Sequence, residues 1–257
     1  MSKILLIYVS YRTSLTSLNI TFMKNRYLKG AHISERKVRE LLKLFCDDLT
    51  ATQIANITGI SRITINAYLK LIRSHIALHS EERMPVTDSS LVNSASLAHL
   101  MPSETPSDLI TADIVYKKPC YGVRMENNNI RTDKITVPDQ QEIFEWLKSA
   151  GAKYPDAAEK YNLDSYQAII DFNNLKLYRI NNGVPKLISL KGRVDDIELF
   201  WSMLKARLVK FRGLNGNTLY LHVKETEFRF NHRNQDIFDL LVNVFHHRPL
   251  HVARQFG

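Results

Sequence analysis

Residues 196–211 read Asp-Ile-Glu-Leu-Phe-Trp-Ser-Met-Leu-Lys-Ala-Arg-Leu-Val-Lys-Phe, and their reading decides the fold. The stretch is strongly amphipathic at helical spacing, with Glu198 set among Ile197, Leu199, Phe200 and Trp201. Upstream, Leu175–Ile180 suits a strand and Tyr161–Leu163 a short one. Gln140–Ala150 suits a helix with Ile143, Phe144 and Leu147 on one side. Tyr121–Glu126 and Ile130–Val137 form a predicted hairpin turned by Asn127-Asn128-Asn129, because Asn tolerates the positive φ of such turns. Leu109–Tyr116 is a further predicted strand, and Leu219–Phe230 and Asp236–Phe245 close the chain. Strands first, then strands alternating with helices, indicate an α/β domain whose mixed sheet is flanked by helices.

Ahead of that domain the periodicity is helical throughout. Ser34 caps a predicted helix to Phe45, with Glu35 in its first turn and Val38, Leu41, Leu42 and Phe45 on one face. Thr50 caps a short helix over Ala51–Thr58, Gly59 ends it, and Ser61 caps a third helix running to about His79. Small Ala55, the turn glycine and the wedge of Ile54, Ile60 and Ile65, extended by Tyr68, are the steric marks of a helix-turn-helix. Its outer face would offer Ser61, Arg62, Thr64, Asn66, Lys70 and Arg73, side chains that bond base edges and phosphates.

The 257 residues therefore divide into an N-terminal extension 1–22, a helix-turn-helix domain 23–80, a linker 81–107 with Pro85, Pro102 and Pro106, an α/β domain 108–250 and a tail 251–257. Met23 is an alternative start, since Lys24-Asn25-Arg26-Tyr27 opens the coherent part. Lys and Arg number 35 against 26 Asp and Glu, and a net charge of +9 favours a polyanionic partner. No stretch approaches the ~18 apolar residues of a membrane span, and the expected location is the cytoplasm, in association with the nucleoid. Cys46 and Cys120 stand alone, which excludes a disulfide framework or a zinc ribbon.

Three acids stand out by context. Asp113 interrupts an apolar strand, Asp164 follows a short one, and Glu198 lies in the amphipathic helix. Two-metal phosphoryl transfer needs such a trio, because carboxylates are hard oxygen ligands for Mg²⁺, and Mn²⁺ is the usual substitute. Lys205 lies two helical turns after Glu198, on the same face, and Arg207, Lys210 and Arg212 extend a positive stripe. Singly, each acid also suits a plainer role: Asp113 as an edge-strand surface residue, Asp164 as a helix cap, Glu198 as the ion-pair partner of Lys205 or a nearby Arg.

Ile197-Glu198-Leu199-Phe200-Trp201-Ser202-Met203-Leu204-Lys205 resembles the third catalytic motif of small bacterial insertion-sequence transposases of the DDE type. Tyr220-Leu221-His222-Val223-Lys224-Glu225-Thr226-Glu227-Phe228-Arg229-Phe230-Asn231-His232-Arg233 is similar to the same family's C-terminal signature. Tyr178-Arg179-Ile180-Asn181 resembles the strand before the third motif, and Met23–His79 the family's helix-turn-helix. The resemblance implies an RNase H-like catalytic domain in which Asp113, Asp164 and Glu198 bind Mg²⁺ with Lys205 beside them. It implies nicking and strand transfer at the terminal repeats of a mobile element, within a homodimer or larger synaptic complex on double-stranded DNA. Three places depart from the family: Ile114 stands where an acid is usual, Ser165-Tyr166-Gln167 where Gly and Trp are, and Arg193-Val194-Asp195 where His-x-Asn is. Asp195 is therefore a reserve ligand. A decayed or domesticated element that binds DNA without cutting it is the alternative expectation.

Overall fold

The computed structural model describes residues 25–29, 33–82, 118–188, 194–211 and 216–251. The predicted strand Leu109–Tyr116 with Asp113, the extension 1–22, Arg212 and nearly all of the linker lie outside the described residues.

The N-terminal helices start and stop where their caps dictate. α1 (Glu35–Cys46) begins where Ser34 Oγ accepts the Lys37 N–H, and it buries Val38, Leu41, Leu42 and Phe45. α2 (Ala51–Thr58) opens on a reciprocal capping box between Thr50 and Gln53 and ends at Gly59, whose φ of +71° is left-handed. α3 (Arg62–Glu82) starts where Ser61 Oγ accepts the Thr64 N–H at 3.1 Å. A two-residue parallel pairing of β1 (Leu28–Lys29) with β7 (Leu250–His251) ties the two ends of the described chain together.

The remainder is a mixed α/β body around a five-stranded sheet, in the order β3-β2-β4-β5-β6. Its strands are β2 (Cys120–Glu126), β3 (Asn129–Lys134), β4 (Ala168–Asp171), β5 (Lys176–Asn181) and β6 (Val184–Leu187). The expected β2–β3 hairpin is present, with Asn127 and Asn128 at φ +50° and +64°. The expected mixed sheet is not: every pairing in this sheet is antiparallel. The reason is turn length. Asn182-Gly183, at φ +49° and +73°, is a two-residue hairpin turn, and residues 172–175 return the chain from β4 to β5. Neither connection has room for the crossover helix that a parallel pair requires.

Helices cover both faces of the sheet. α4 (Gln140–Lys148) and α5 (Ala157–Lys160) pack on one side, where Ile143, Trp146, Leu163, Ile169, Tyr178 and Ile180 form a core. α6 (Asp196–Lys210) and α7 (Gly216–Asn231) pack on the other, where Ile197, Phe200, Leu204, Val223 and Phe230 meet Tyr121, Val123 and Ile170. The predicted strand at Tyr161–Leu163 is absent: Asn162 adopts a left-handed φ of +51°, and Leu163–Ser165 turns as a 3-10 helix. A third core joins α1, α2 and α3 to Phe228 of α7 and to Leu241 and Phe245 of α8 (Ile237–His247). The three N-terminal helices thus share their hydrophobic interior with the last two helices, across the division expected at the linker.

Candidate nucleic-acid interface

The most exposed face of α3 lies in its first half. Ser61, Arg62, Ile63, Asn66, Ala67 and Lys70 are exposed and Thr64 is half-buried, whereas Ile65, Tyr68, Leu69, Ile72 and Ile76 are buried. The N-terminal turns of α3 thus project, while its C-terminal turns pack into the protein. Gly59 turns the chain between α2 and α3 at a φ of +71°, a left-handed backbone that strains a residue with a Cβ although the space around it is open. Ser61 caps the helix, and its hydroxyl also lies 2.8 Å from Thr64 Oγ1. These two hydroxyls serve the local fold before any ligand.

Three cations of the expected basic face have other duties. Arg73 is 9% exposed, and its Nε lies 2.7 Å from Glu225 of α7. Arg207 is turned inward between Glu225, at 2.8 Å, and Asp48. Lys210 is bound to Asp48, reaching its carboxylate at 3.2 Å and its carbonyl as well. Arg73, expected on the outer face of α3, and Arg207, expected in the positive stripe of α6, instead point at the core, where their charge is spent on Glu225. Arg62 and Lys70 remain exposed on α3, and Lys205 on α6.

Glu225 is the hub of this buried cluster. Burial alone would raise its pKa, but Arg207, Arg73 and Arg229 outweigh that and hold the carboxyl well below the usual range. Arg229 lies 2.9 Å from Glu225 and donates to the carbonyls of Phe45 and Cys46, at 2.6 and 2.9 Å, satisfying the C-terminal end of α1. The Phe45 ring lies under the Arg73 and Arg229 guanidiniums. His222, tilted at 42° against Phe211 with ring centroids 4.8 Å apart, has its pKa pushed down to about 3, by burial first and then by the nearby Arg73.

The same helix closes one edge of the sheet. Asn231 donates to the Ile130 carbonyl and accepts the Ile130 N–H, each at 2.8 Å, as a neighbouring strand would. Glu227 accepts the Thr132 N–H at 2.9 Å, and Lys224 donates to the Thr132 carbonyl at 2.7 Å. Every residue from Leu221 to Phe230 is buried, including His222, Lys224, Glu225, Glu227 and Arg229. The charges that mark this stretch in the sequence are structural: they clamp α3, α1 and β3 to one helix.

The two described acids of the expected trio, Asp164 and Glu198, lie in different layers. Asp164 is exposed on the 3-10 turn, in the layer of α4 and α5, and lines an open groove of about 660 Å³ with Asp156, Glu159 and Asn182. Glu198 lies in the first turn of α6, on the other side of the sheet, near Arg179. Asp195 caps α6 by accepting the Glu198 N–H at 3.0 Å and pairs with Arg179. Those two line a second groove, of about 550 Å³, with Gln167, Asn181 and Ile197. Among the described residues no group of three or more His, Cys, Asp or Glu could hold a metal ion. As placed, Asp164 and Glu198 do not fit a shared three-carboxylate centre.

One buried acid escaped the sequence reading. Asp171, 1% exposed at the end of β4, accepts the N–H groups of Asn173 and Asn174 at 2.8 and 3.2 Å and the Asn174 side-chain amide at 2.6 Å. It organises the β4–β5 turn, a role that Asp followed by Asn-Asn two and three residues on could have signalled. Cys46 and Cys120 are both free thiols, and burial pushes each pKa upward, that of Cys46 to about 12.

No protein-family model, curated protein or solved structure matches this chain. No helix among the described residues is long and apolar enough to cross a membrane.

Proposed function

We propose that this protein binds double-stranded DNA sequence-specifically, reading the major groove with the exposed first half of α3. The observation that carries this reading is the change along α3 at Lys70: before it Arg62, Ile63, Asn66 and Ala67 are exposed, whereas every residue from Leu71 to Ser80 is buried or half-buried. The net charge of +9 supplies the long-range attraction to phosphate. Arg62 and Asn66 are the base-reading side chains, by their affinity for guanine and adenine edges, and Lys70 is a phosphate contact. The test is selection of duplexes from a random pool by the full chain. A defined motif should emerge, and Arg62→Ala with Asn66→Ala should abolish its preference while leaving the melting temperature unchanged. Recovery of random sequence, or a double variant that keeps the preference, would sink the proposal.

A second reading is a DDE-type transposase with an RNase H-like domain, recognising an element's terminal repeats as a homodimer or larger synaptic complex in the cytoplasm. Its support is the likeness of Ile197–Lys205 and Tyr220–Arg233 to the family's motifs. In that reading Glu198 is a Mg²⁺ or Mn²⁺ ligand, with Asp113 and Asp164 as its partners and Lys205 beside it. The separation of Asp164 from Glu198 across the sheet weighs against it, which leaves the non-cutting descendant of a mobile element ahead. Incubating the selected duplex with Mg²⁺ or Mn²⁺ decides between the two. Nicks that vanish in Glu198→Gln, with binding intact, would establish the enzyme.

A further inference from the structure

Resting on the DNA-binding reading, we propose that Ile63 and Ala67 read thymine methyl groups, so that α3 recognises a thymine-containing step beside the purines met by Arg62 and Asn66. Ile63 is 83% exposed, the most exposed large apolar side chain among the described residues. A lone exposed isoleucine elsewhere would need no account. Its place is what gives it meaning. Residues four apart on a helix stand one above the other, so the outer face of α3 carries two adjacent rows. Arg62, Asn66 and Lys70 make the polar row, and Ile63 and Ala67 make the apolar one; all five are exposed.

Ile63 does not serve the helix. A β-branched side chain loses rotamer freedom there, and in solvent it gains no burial in return. Nor does it serve the core, because the buried face of α3 is made by Ile65, Leu69, Ile72 and Ile76. A helix lying in the major groove, however, meets one apolar feature on the base edges, the C5 methyl of thymine. Alternating polar and apolar rows match a groove wall in which methyls alternate with hydrogen-bonding atoms. A small side chain at position 67 lets the helix approach closely, while the isoleucine one turn nearer the N-terminus reaches further.

The experiment exchanges thymine for uracil, which deletes the methyl and keeps the Watson–Crick edge. Duplexes are selected with the full chain, and each thymine of the footprint is then replaced singly by deoxyuridine. Affinity is measured by fluorescence anisotropy at fixed salt. One or two replacements should weaken binding about fourfold each, the value of one buried methyl at ~0.8 kcal/mol. In Ile63→Ala that penalty should vanish at one position and persist at none within reach of residue 63. Ile63→Val, which keeps a branched contact, should retain most of it. Both substitutions lie at an exposed position, and unchanged melting temperatures would show that the fold is intact. Equal affinity for thymine and uracil throughout the footprint would overturn this inference while leaving DNA binding standing, as would an Ile63→Ala variant that keeps the full difference. Failure to select any motif would overturn the DNA-binding reading itself and this inference with it.

Discussion

Arg73 and Glu225 lie 152 residues apart in the chain, yet they meet at 2.7 Å inside the protein, with side-chain exposures of 10% and 1%. One belongs to α3, whose other end faces solvent, and the other to α7, which also closes the sheet. The helix proposed to read DNA is therefore not a module hung on a tether. Its second half is part of the interior that the C-terminal helices complete, so its orientation is fixed relative to α6 and the sheet.

Replacing Glu225 by Ala should be among the most damaging single changes available. It leaves Arg73, Arg207 and Arg229 facing one another with Asp48 as the remaining counter-charge. Breaking a buried ion pair by removing one partner typically costs about 3–5 kcal/mol. Urea unfolding of the purified variant measures the loss. A change under about 1 kcal/mol would mean that the cluster is hydrated and that the coupling between α3 and α7 is weak.

A fragment spanning residues 23–82 should not fold alone, although its caps and turn read as a complete helix-turn-helix. Phe228, Leu241, Phe245 and Leu250 belong to its core, and without them the apolar faces of α1 and α3 are left in water. Circular dichroism of the fragment should show far less helix than the same residues carry in the whole chain. A cooperative thermal transition would contradict the shared core.

The edge of the sheet offers a separate test. Asn231 and Glu227 satisfy backbone groups of Ile130 and Thr132 that an edge strand would otherwise expose. Asn231→Leu and Glu227→Leu keep side chains of similar length but leave those groups unpaired, at about 1–3 kcal/mol for each orphaned group. Both variants should lose stability, and Glu227→Leu should lose more, because Lys224 then loses its partner at 3.1 Å. Equal stability to the parent in chemical denaturation would show that water replaces the side chains without cost.

What the sequence disclosed was what is local. Ser34, Thr50 and Gly59 announced the caps of α1 and α2 because a cap depends on four residues, and Asn127-Asn128 announced a turn for the same reason. β4 was missed, as four buried residues with no alternation carry no period. Asn182-Gly183 is a strong hairpin signal that went unread, and with it the antiparallel order of β5 and β6. The charged run Lys224–Arg229 could not be placed from spacing. Its partners Arg73, Arg207 and Thr132 lie far off in the chain, and helical period alone cannot tell a solvated charge from a paired one in the core. Glu198 was rightly placed on an amphipathic helix, yet its separation from Asp164 depends on which face of the sheet each connection takes.

Acid should lower the stability of the protein in two pH windows whose order follows from α7. His222 keeps a pKa near 3 when folded, by burial and then by Arg73 and Arg207, with Glu225 opposing, against about 6.5 when unfolded. Below 6.5 the unfolded chain takes up a proton at this site that the folded chain refuses. Stability is therefore complete above pH 6.5 and falls as the pH drops towards 3, at up to about 1.4 kcal/mol per unit. The Glu225 carboxyl, held low by its three arginines, adds its own loss only below the ordinary glutamate range near 4.5. His222→Phe keeps a ring against Phe211 and removes the titration, so the urea midpoint should become flatter between pH 6.5 and 4.5 while the steep fall below 4.5 survives. An unchanged slope in the upper window would assign it to another histidine. A flat response below 4.5 would instead show that the Glu225 cluster opens before it is protonated.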